Sequence, residues 1–61
     1  MTERQRRFAD AYLASPNATR AAEAAGYSKK TAYSQGQRLL KNAEIAAFIR
    51  ERQEQAASDR I

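Results

Sequence analysis

Hydrophobic side chains near the start of the chain recur at the spacing of one face of an α-helix. They are Phe8, Ala9, Tyr12 and Leu13. Thr2 and Gln5 precede these hydrophobic residues and are three positions apart. This is the pattern of a capping box at a helix N-terminus. The pattern predicts a first helix from about Glu3 to Ala14.

A break follows the first helix and opens a second, shorter one. Pro16 disfavours helical geometry in the residue before it, and Asn17 is a favourable N-cap. The second helix is therefore expected from about Ala18 to Ala25. Gly26 supplies the left-handed residue that commonly ends a helix.

Two further helices are predicted after the second one. Ser28 is in position to cap helix 3 over residues 29–41, and Asn42 is in position to close helix 3 and to cap helix 4. Helix 4 has a hydrophobic stripe at Ile45, Phe48 and Ile49. Residues 53–61 are polar and lack the stripe, so we expect a frayed helix end or a linker there. The folded domain is predicted to span residues 1–52.

Helices 2 and 3 form the most informative unit of the chain. Two helices joined by a short glycine-containing turn cross at a steep angle, and a close crossing requires small side chains on the first of them. Helix 2 supplies such side chains at Ala18, Ala21, Ala22, Ala24 and Ala25. The sequence therefore predicts an all-α fold, a small bundle of four helices that contains a helix-turn-helix in helices 2 and 3.

A single core is expected from the inward-facing residues of all four helices. Its predicted members are Phe8, Tyr12, Leu13, Ala22, Ala25, Leu39, Leu40, Ile45, Phe48 and Ile49. Gly36 lies within helix 3, where glycine costs about 1 kcal/mol relative to alanine. This position indicates a close approach of another helix. Tyr27, just after the turn, is expected to fill the turn or the core.

The other side of helix 3 carries the candidate DNA-binding residues. They are Lys29, Lys30, Thr31, Tyr33, Ser34, Gln37, Arg38 and Lys41. Cations of this kind contact phosphates, while amide and hydroxyl groups can reach base edges. Tyr33 lies away from the centre of the core face, so packing and phosphate contact both remain open for it. The combination is typical of a recognition helix.

The charge distribution agrees with this interpretation. The chain has 11 lysines and arginines against 7 acidic residues, a net charge of +4. The segment over residues 28–41 holds four bases and no acid, so the whole excess lies there. A second basic cluster, at Arg4, Arg6 and Arg7, could contact the DNA backbone or merely keep helix 1 soluble.

The composition offers little for catalysis or for cofactor binding. The chain has no cysteine and no histidine, its acidic residues are scattered, and it lacks a glycine-rich phosphate loop. We therefore expect no enzymatic activity, no cofactor and no metal site. The sequence also lacks the long apolar run of a signal peptide or a membrane span, which predicts a soluble intracellular protein without a membrane partner.

Several strings of the sequence resemble a known protein family. They are Arg4-Gln5-Arg6-Arg7-Phe8, Tyr12-Leu13, Asn17-Ala18-Thr19-Arg20-Ala21-Ala22, Ala25-Gly26-Tyr27-Ser28 and Gly36-Gln37-Arg38-Leu39-Leu40-Lys41-Asn42. Together, across about Thr2 to Ile49, the chain resembles the N-terminal domain of the small terminase subunit of tailed bacteriophages. Ala43 stands where the family has a proline, at the start of helix 4.

The resemblance implies a role at the start of viral genome packaging. A domain of this kind recognises double-stranded viral DNA at the packaging site and presents it to the large terminase subunit, which holds the ATPase and nuclease. The implied location is the host bacterial cytoplasm. The resemblance further implies a longer homo-oligomeric parent whose oligomerisation region and large-subunit contact lie outside this chain. The isolated domain is expected to be a monomer.

Two other classes of function remain open on the sequence alone. A helix-turn-helix transcriptional regulator would share the fold and the DNA contact, and a neighbouring large-terminase gene would argue against it. A helical protein-interaction module could instead present its basic face to an acidic partner. A gel shift with double-stranded DNA and a heparin competitor would separate that class from the DNA-binding ones.

Overall fold

The computed structural model describes residues 1–58 and shows four α-helices and no strand within that range. The helices are α1 (Glu3–Ala14), α2 (Ala18–Ala24), α3 (Lys29–Lys41) and α4 (Ala43–Ser58). The first and third have the predicted bounds, and α2 is one residue shorter than predicted. The predicted all-α bundle with a helix-turn-helix in α2 and α3 is confirmed.

Side chains cap the N-termini of α1 and α2 as the sequence predicts. Thr2 Oγ1 accepts a hydrogen bond from the Gln5 backbone N–H at 3.1 Å. In return, Gln5 Oε1 accepts one from the Thr2 backbone N–H at 3.0 Å, which completes the capping box. Asn17 Oδ1 accepts from the Arg20 backbone N–H at 3.0 Å. These local bonds determine where both helices begin.

The turn between α2 and α3 depends on Gly26, which has a φ of +107°. The Gly26 N–H donates to the Glu23 carbonyl at 3.1 Å, and the Tyr27 N–H donates to the Ala22 carbonyl at 3.0 Å. This pair of bonds is a Schellman motif, which closes a helix and requires a residue that tolerates positive φ. The predicted role of Gly26 is confirmed.

Ser28 departs from its predicted role at the start of α3. It occupies the N-cap position, but its side chain makes no capping hydrogen bond to the helix backbone. Its Oγ lies instead 3.0 Å from the Thr31 Oγ1. Short hydroxyl side chains can pair locally instead of capping, and the pairing with Thr31 engages the oxygen that a cap would need.

Asn42 ends α3 and caps α4, as predicted. Its N–H donates a hydrogen bond to the Leu39 carbonyl at 3.1 Å, and its Oδ1 accepts one from the Glu44 N–H at 2.9 Å. The next helix continues through residues 53–58, where we expected a frayed end or a linker. Glutamate, glutamine and alanine favour helix without a buried stripe, which explains the continuation. Residues 59–61 of that segment lie outside the described residues, and the domain boundary at residue 52 stays a prediction.

The core is built largely from alanine. Its buried hydrophobic residues are Phe8, Ala9, Ala21, Ala22, Ala25, Ala32, Leu39, Ile45 and Ile49. Four larger residues predicted as core are only partly buried around it, namely Tyr12, Leu13, Leu40 and Phe48. A domain of this size has too little interior to enclose every large side chain, so these residues cover the core from its edge.

The N-terminal residue and α1 both contact α4 or the residues at its start. The Met1 ammonium forms an ion pair with the Glu44 carboxylate. The ring of Phe48 faces two guanidinium groups, that of Arg6 at 5.8 Å and that of Arg52 at 4.9 Å. The exposed edge of Phe48 is therefore covered by cations from both helices.

The backbones of α2 and α3 approach each other closely at Gly36. A Cβ placed on Gly36 would lie 2.6 Å from the Ala18 carbonyl oxygen and 2.9 Å from the Ala18 carbonyl carbon. Such distances are too short for real atoms, so only glycine fits at this point. The close approach predicted from Gly36 is confirmed, and the backbone of Ala18 is its partner. This contact holds α3 directly against α2.

Candidate nucleic-acid interface

The outer face of α3 holds the eight residues that the sequence singled out, and each of them is exposed. They are Lys29, Lys30, Thr31, Tyr33, Ser34, Gln37, Arg38 and Lys41. The opposite face packs against the bundle through Ala32, Gly36 and Leu39, which are buried. The predicted division of α3 into a core face and an exposed face is confirmed, whereas a contact with DNA stays a prediction.

The cations on the outer face of α3 have no acidic partner within residues 1–58. The ion pairs in this range join Met1 to Glu44, Arg6 to Asp10 and Arg7 to Glu3. No acidic residue occurs in α3 itself. The positive charge of the outer face is therefore uncompensated locally, which is what an anionic ligand would require.

The polar side chains of the outer face differ in what they can offer to a ligand. Ser34 and Gln37 make no side-chain hydrogen bond in the described part of the chain, so their polar groups face solvent. The Thr31 hydroxyl is already engaged, because it also lies 3.4 Å from the Ser28 carbonyl oxygen. Tyr33 is 66% exposed and does not contribute to the core. Of the two roles predicted for Tyr33, packing against the core is therefore excluded.

The basic cluster of α1 divides into residues with different surroundings, which the sequence did not indicate. Arg7 pairs with Glu3 at 3.1 Å, and Arg6 lies between Asp10 and the Phe48 ring. The Arg4 guanidinium instead stacks over Tyr27 at 5.3 Å from the ring centroid. Tyr27 is partly buried just after the turn, so α1 contributes a cation beside the helix-turn-helix. No signal in the sequence pairs Arg4 with Tyr27, since 22 intervening residues separate them.

Two grooves occur on the surface of the described residues. A groove of about 220 Å³ lies between Tyr12, Leu40 and Ile49, and another of about 230 Å³ lies beside Arg20. Neither groove is lined by a carboxylate, a thiol or an imidazole. Residues 1–58 contain no cluster of three potential metal ligands. Within the same range, no helix has the length and apolar character needed to cross a membrane.

Comparisons with known proteins indicate the family of the chain. The family model described as terminase small subunit matches residues 1–61, the whole chain. The terminase small subunit of Staphylococcus phage 80alpha is 48% identical over 62 residues, which cover 100% of this chain and 42% of the relative. The PBSX phage terminase small subunit of Bacillus subtilis (strain 168) is 52% identical over 50 residues, covering 82% of this chain and 19% of the relative.

The chain thus spans less than half the length of the curated relatives it matches. No solved structure matches it. The residues matched by the family model, by contrast, include all four helices and therefore the helix-turn-helix. This chain belongs to the terminase small subunit family.

Proposed function

We propose that this chain is the DNA-binding domain of a phage small terminase subunit, and that it contacts double-stranded viral DNA through the outer face of α3. The observation that carries the proposal is the locally uncompensated charge of that face, set on a helix whose other side is held against α2. A recognition helix must present such a face to the major groove. The family match favours this function over a transcriptional regulator.

The outer face of α3 divides into residues that position the domain and residues that read sequence. Lys30, Arg38 and Lys41 contact phosphates, which gives affinity for DNA of any sequence. Ser34 and Gln37 carry unengaged hydroxyl and amide groups, which suit hydrogen bonds to base edges. In this scheme the domain selects the packaging site with the polar pair and holds the duplex with the cations.

The domain acts by binding rather than by catalysis. It recognises viral DNA at the packaging site in the host bacterial cytoplasm and initiates genome packaging together with the large terminase. Contact with the large subunit and assembly into a homo-oligomer are assigned to other parts of the longer protein, because the relatives extend well beyond the matched segment. The scattered carboxylates supply no general acid–base pair for an activity of its own.

Salt-dependent DNA binding tests the assignment of the outer face. Each of Lys30→Ala, Arg38→Ala and Lys41→Ala removes one phosphate contact, so the slope of log K against log salt should fall by about 1 per substitution. Fluorescence anisotropy with short duplexes of unrelated sequence measures the slope. Arg50→Ala is the matched control, because Arg50 is an exposed cation on α4 and its loss should leave the slope unchanged. An unaltered slope in the triple variant would show that DNA binds elsewhere.

A further inference from the structure

Arg4 differs from its neighbours in the basic cluster of α1. The charges of Arg6 and Arg7 are opposed by Asp10 and Glu3 within one helical turn. Arg4 has no ion pair within residues 1–58, and its guanidinium lies over the ring of Tyr27. A cation without an acidic neighbour keeps its full charge for an external anion. Arg4 is the member of the cluster that is electrostatically available.

The stacking on Tyr27 places Arg4 beside the turn of the helix-turn-helix. Its Nε would lie 3.9 Å from a Cβ on Gly26, the residue at the centre of the turn. Tyr27 itself precedes Lys29, the first residue of α3, by two positions. Arg4 is exposed to solvent at this place. It therefore adds a positive charge next to the N-terminal end of the outer face of α3.

A stacked guanidinium is well prepared to bind a phosphate. Stacking uses the flat face of the group, whereas its N–H donors lie at the edge and remain free. The ring also limits the conformations of the side chain, so less entropy is lost when a ligand binds. We propose that Arg4 contacts a DNA phosphate and that Tyr27 positions it, which extends the interface from α3 onto α1. This inference rests on the proposed function.

The inference is tested by comparing two arginines of the same helix. Arg4→Ala should lower the slope of log K against log salt by about 0.9, the value for one lost phosphate contact on duplex DNA. When the salt concentration rises from about 50 to about 200 mM, the affinity of both proteins falls. The fold-decrease for the variant should be about 3.5 times smaller than that for the unaltered chain. Arg7→Ala removes the same charge from the same helix, and it should leave the slope unchanged because Glu3 already opposes that charge.

The role of Tyr27 has its own measurement. If the ring positions Arg4, the affinity lost on Arg4→Ala should be smaller in a Tyr27→Leu background and undiminished in a Tyr27→Phe background, since phenylalanine keeps the ring face. Circular dichroism melts check that each variant is folded. Arg4→Gln repeats the first comparison with a polar helix-forming residue, should Arg4→Ala disturb α1. Equal losses on Arg4→Ala in all three backgrounds would overturn the positioning role.

The outcomes separate this inference from the function on which it rests. If Arg4→Ala leaves the slope unchanged while Lys30→Ala lowers it, Arg4 does not contact DNA and the α3 interface stands. Equal effects of Arg4→Ala and Arg7→Ala would also overturn the inference, because they would reflect net charge alone. Unchanged slopes in Arg4→Ala, Lys30→Ala and Arg38→Ala would refute both proposals.

Discussion

Gly36 determines how closely two helices of the domain can pack. The missing side chain lets the backbone of α3 lie against the carbonyl group of Ala18. Because the neighbouring atoms belong to the backbone, they cannot move aside by changing a rotamer. The cost of a glycine within a helix is thus offset by a backbone-to-backbone contact.

Replacing this glycine should be harmful even though alanine is the better helix former. We expect Gly36→Ala to lower the free energy of unfolding by about 1–3 kcal/mol, since overpacking outweighs the gain in helix propensity. In a domain of this size the midpoint of thermal unfolding would fall by several degrees. Gln37→Ala, at the exposed neighbouring position, should change stability by less than about 0.5 kcal/mol. A higher melting temperature for Gly36→Ala would contradict the close approach.

At the residue scale, the sequence indicated where a close contact would occur but not its partner. Gly36 was recognisable because glycine is unusual inside a helix. The identity of its partner, Ala18, depends on how α2 and α3 pack against each other, which the sequence pattern does not show. The same limitation applies to the core. Large residues such as Tyr12 and Phe48 were expected to be buried but are only partly so, whereas small residues such as Ala9 are fully enclosed. Hydrophobic patterning identifies the buried face, and packing decides which of its residues are enclosed.

The three helices after α1 begin at N-cap residues that make different bonds. Asn17 and Asn42 each accept hydrogen bonds from the backbone of the helix that follows. Ser28 pairs with the Thr31 hydroxyl instead. With the Thr2 capping box of α1, three of the four helix N-termini are satisfied by a side-chain cap, and the N-terminus of α3 is not.

This difference predicts an order of stability among three alanine variants. Asn17→Ala and Asn42→Ala should each lower the free energy of unfolding by about 1 kcal/mol, the usual cost of losing a capping side chain. Ser28→Ala should cost less than either, because no bond to the helix backbone is lost. Urea denaturation of the three variants measures the order. A Ser28→Ala variant as destabilised as Asn17→Ala would show that Ser28 caps α3 in solution.

At the scale of whole elements, the sequence predicted most boundaries because they depend on local chemistry. The Thr2 capping box and the Gly26 Schellman motif involve residues close together in the chain, and both were recognisable. The continuation of α4 was not recognisable, because residues 53–58 lack the hydrophobic stripe that we used to predict where the helix ends. The candidate site shows the same division. The exposed face of α3 followed from helical periodicity, whereas the Arg4–Tyr27 contact joins distant positions.

At the scale of the whole domain, the proposed DNA-binding surface is small, because it consists of one face of α3 with Arg4 of α1 beside it. Such a surface allows roughly four to six phosphate contacts, which corresponds to weak binding at physiological salt, in the micromolar to millimolar range. Site selection on a genome requires a larger difference between target and random DNA. The domain would therefore depend on other copies of itself for tight binding.

Fusion to an oligomeric scaffold should raise DNA affinity without any new contact. Linked copies act at millimolar effective concentration, so we expect a gain of about 10²–10⁴-fold on duplexes that carry repeated sites. The isolated chain should sediment as a monomer and bind with little sequence preference. Analytical ultracentrifugation and anisotropy titration of both forms provide the measurement. The control is the fused protein with Lys30, Arg38 and Lys41 all replaced by alanine. Nanomolar, site-specific binding by the free monomer would contradict this account.

The contact between Gly36 and Ala18 also bears on how such domains diverge. Because it joins two backbones, the orientation of α3 on α2 does not depend on the side chains of the outer face. Ser34 and Gln37 can therefore be exchanged over evolutionary time without rotating the helix that carries them. Under the proposed function, this separation makes the outer face of α3 a suitable place for engineering altered target preference.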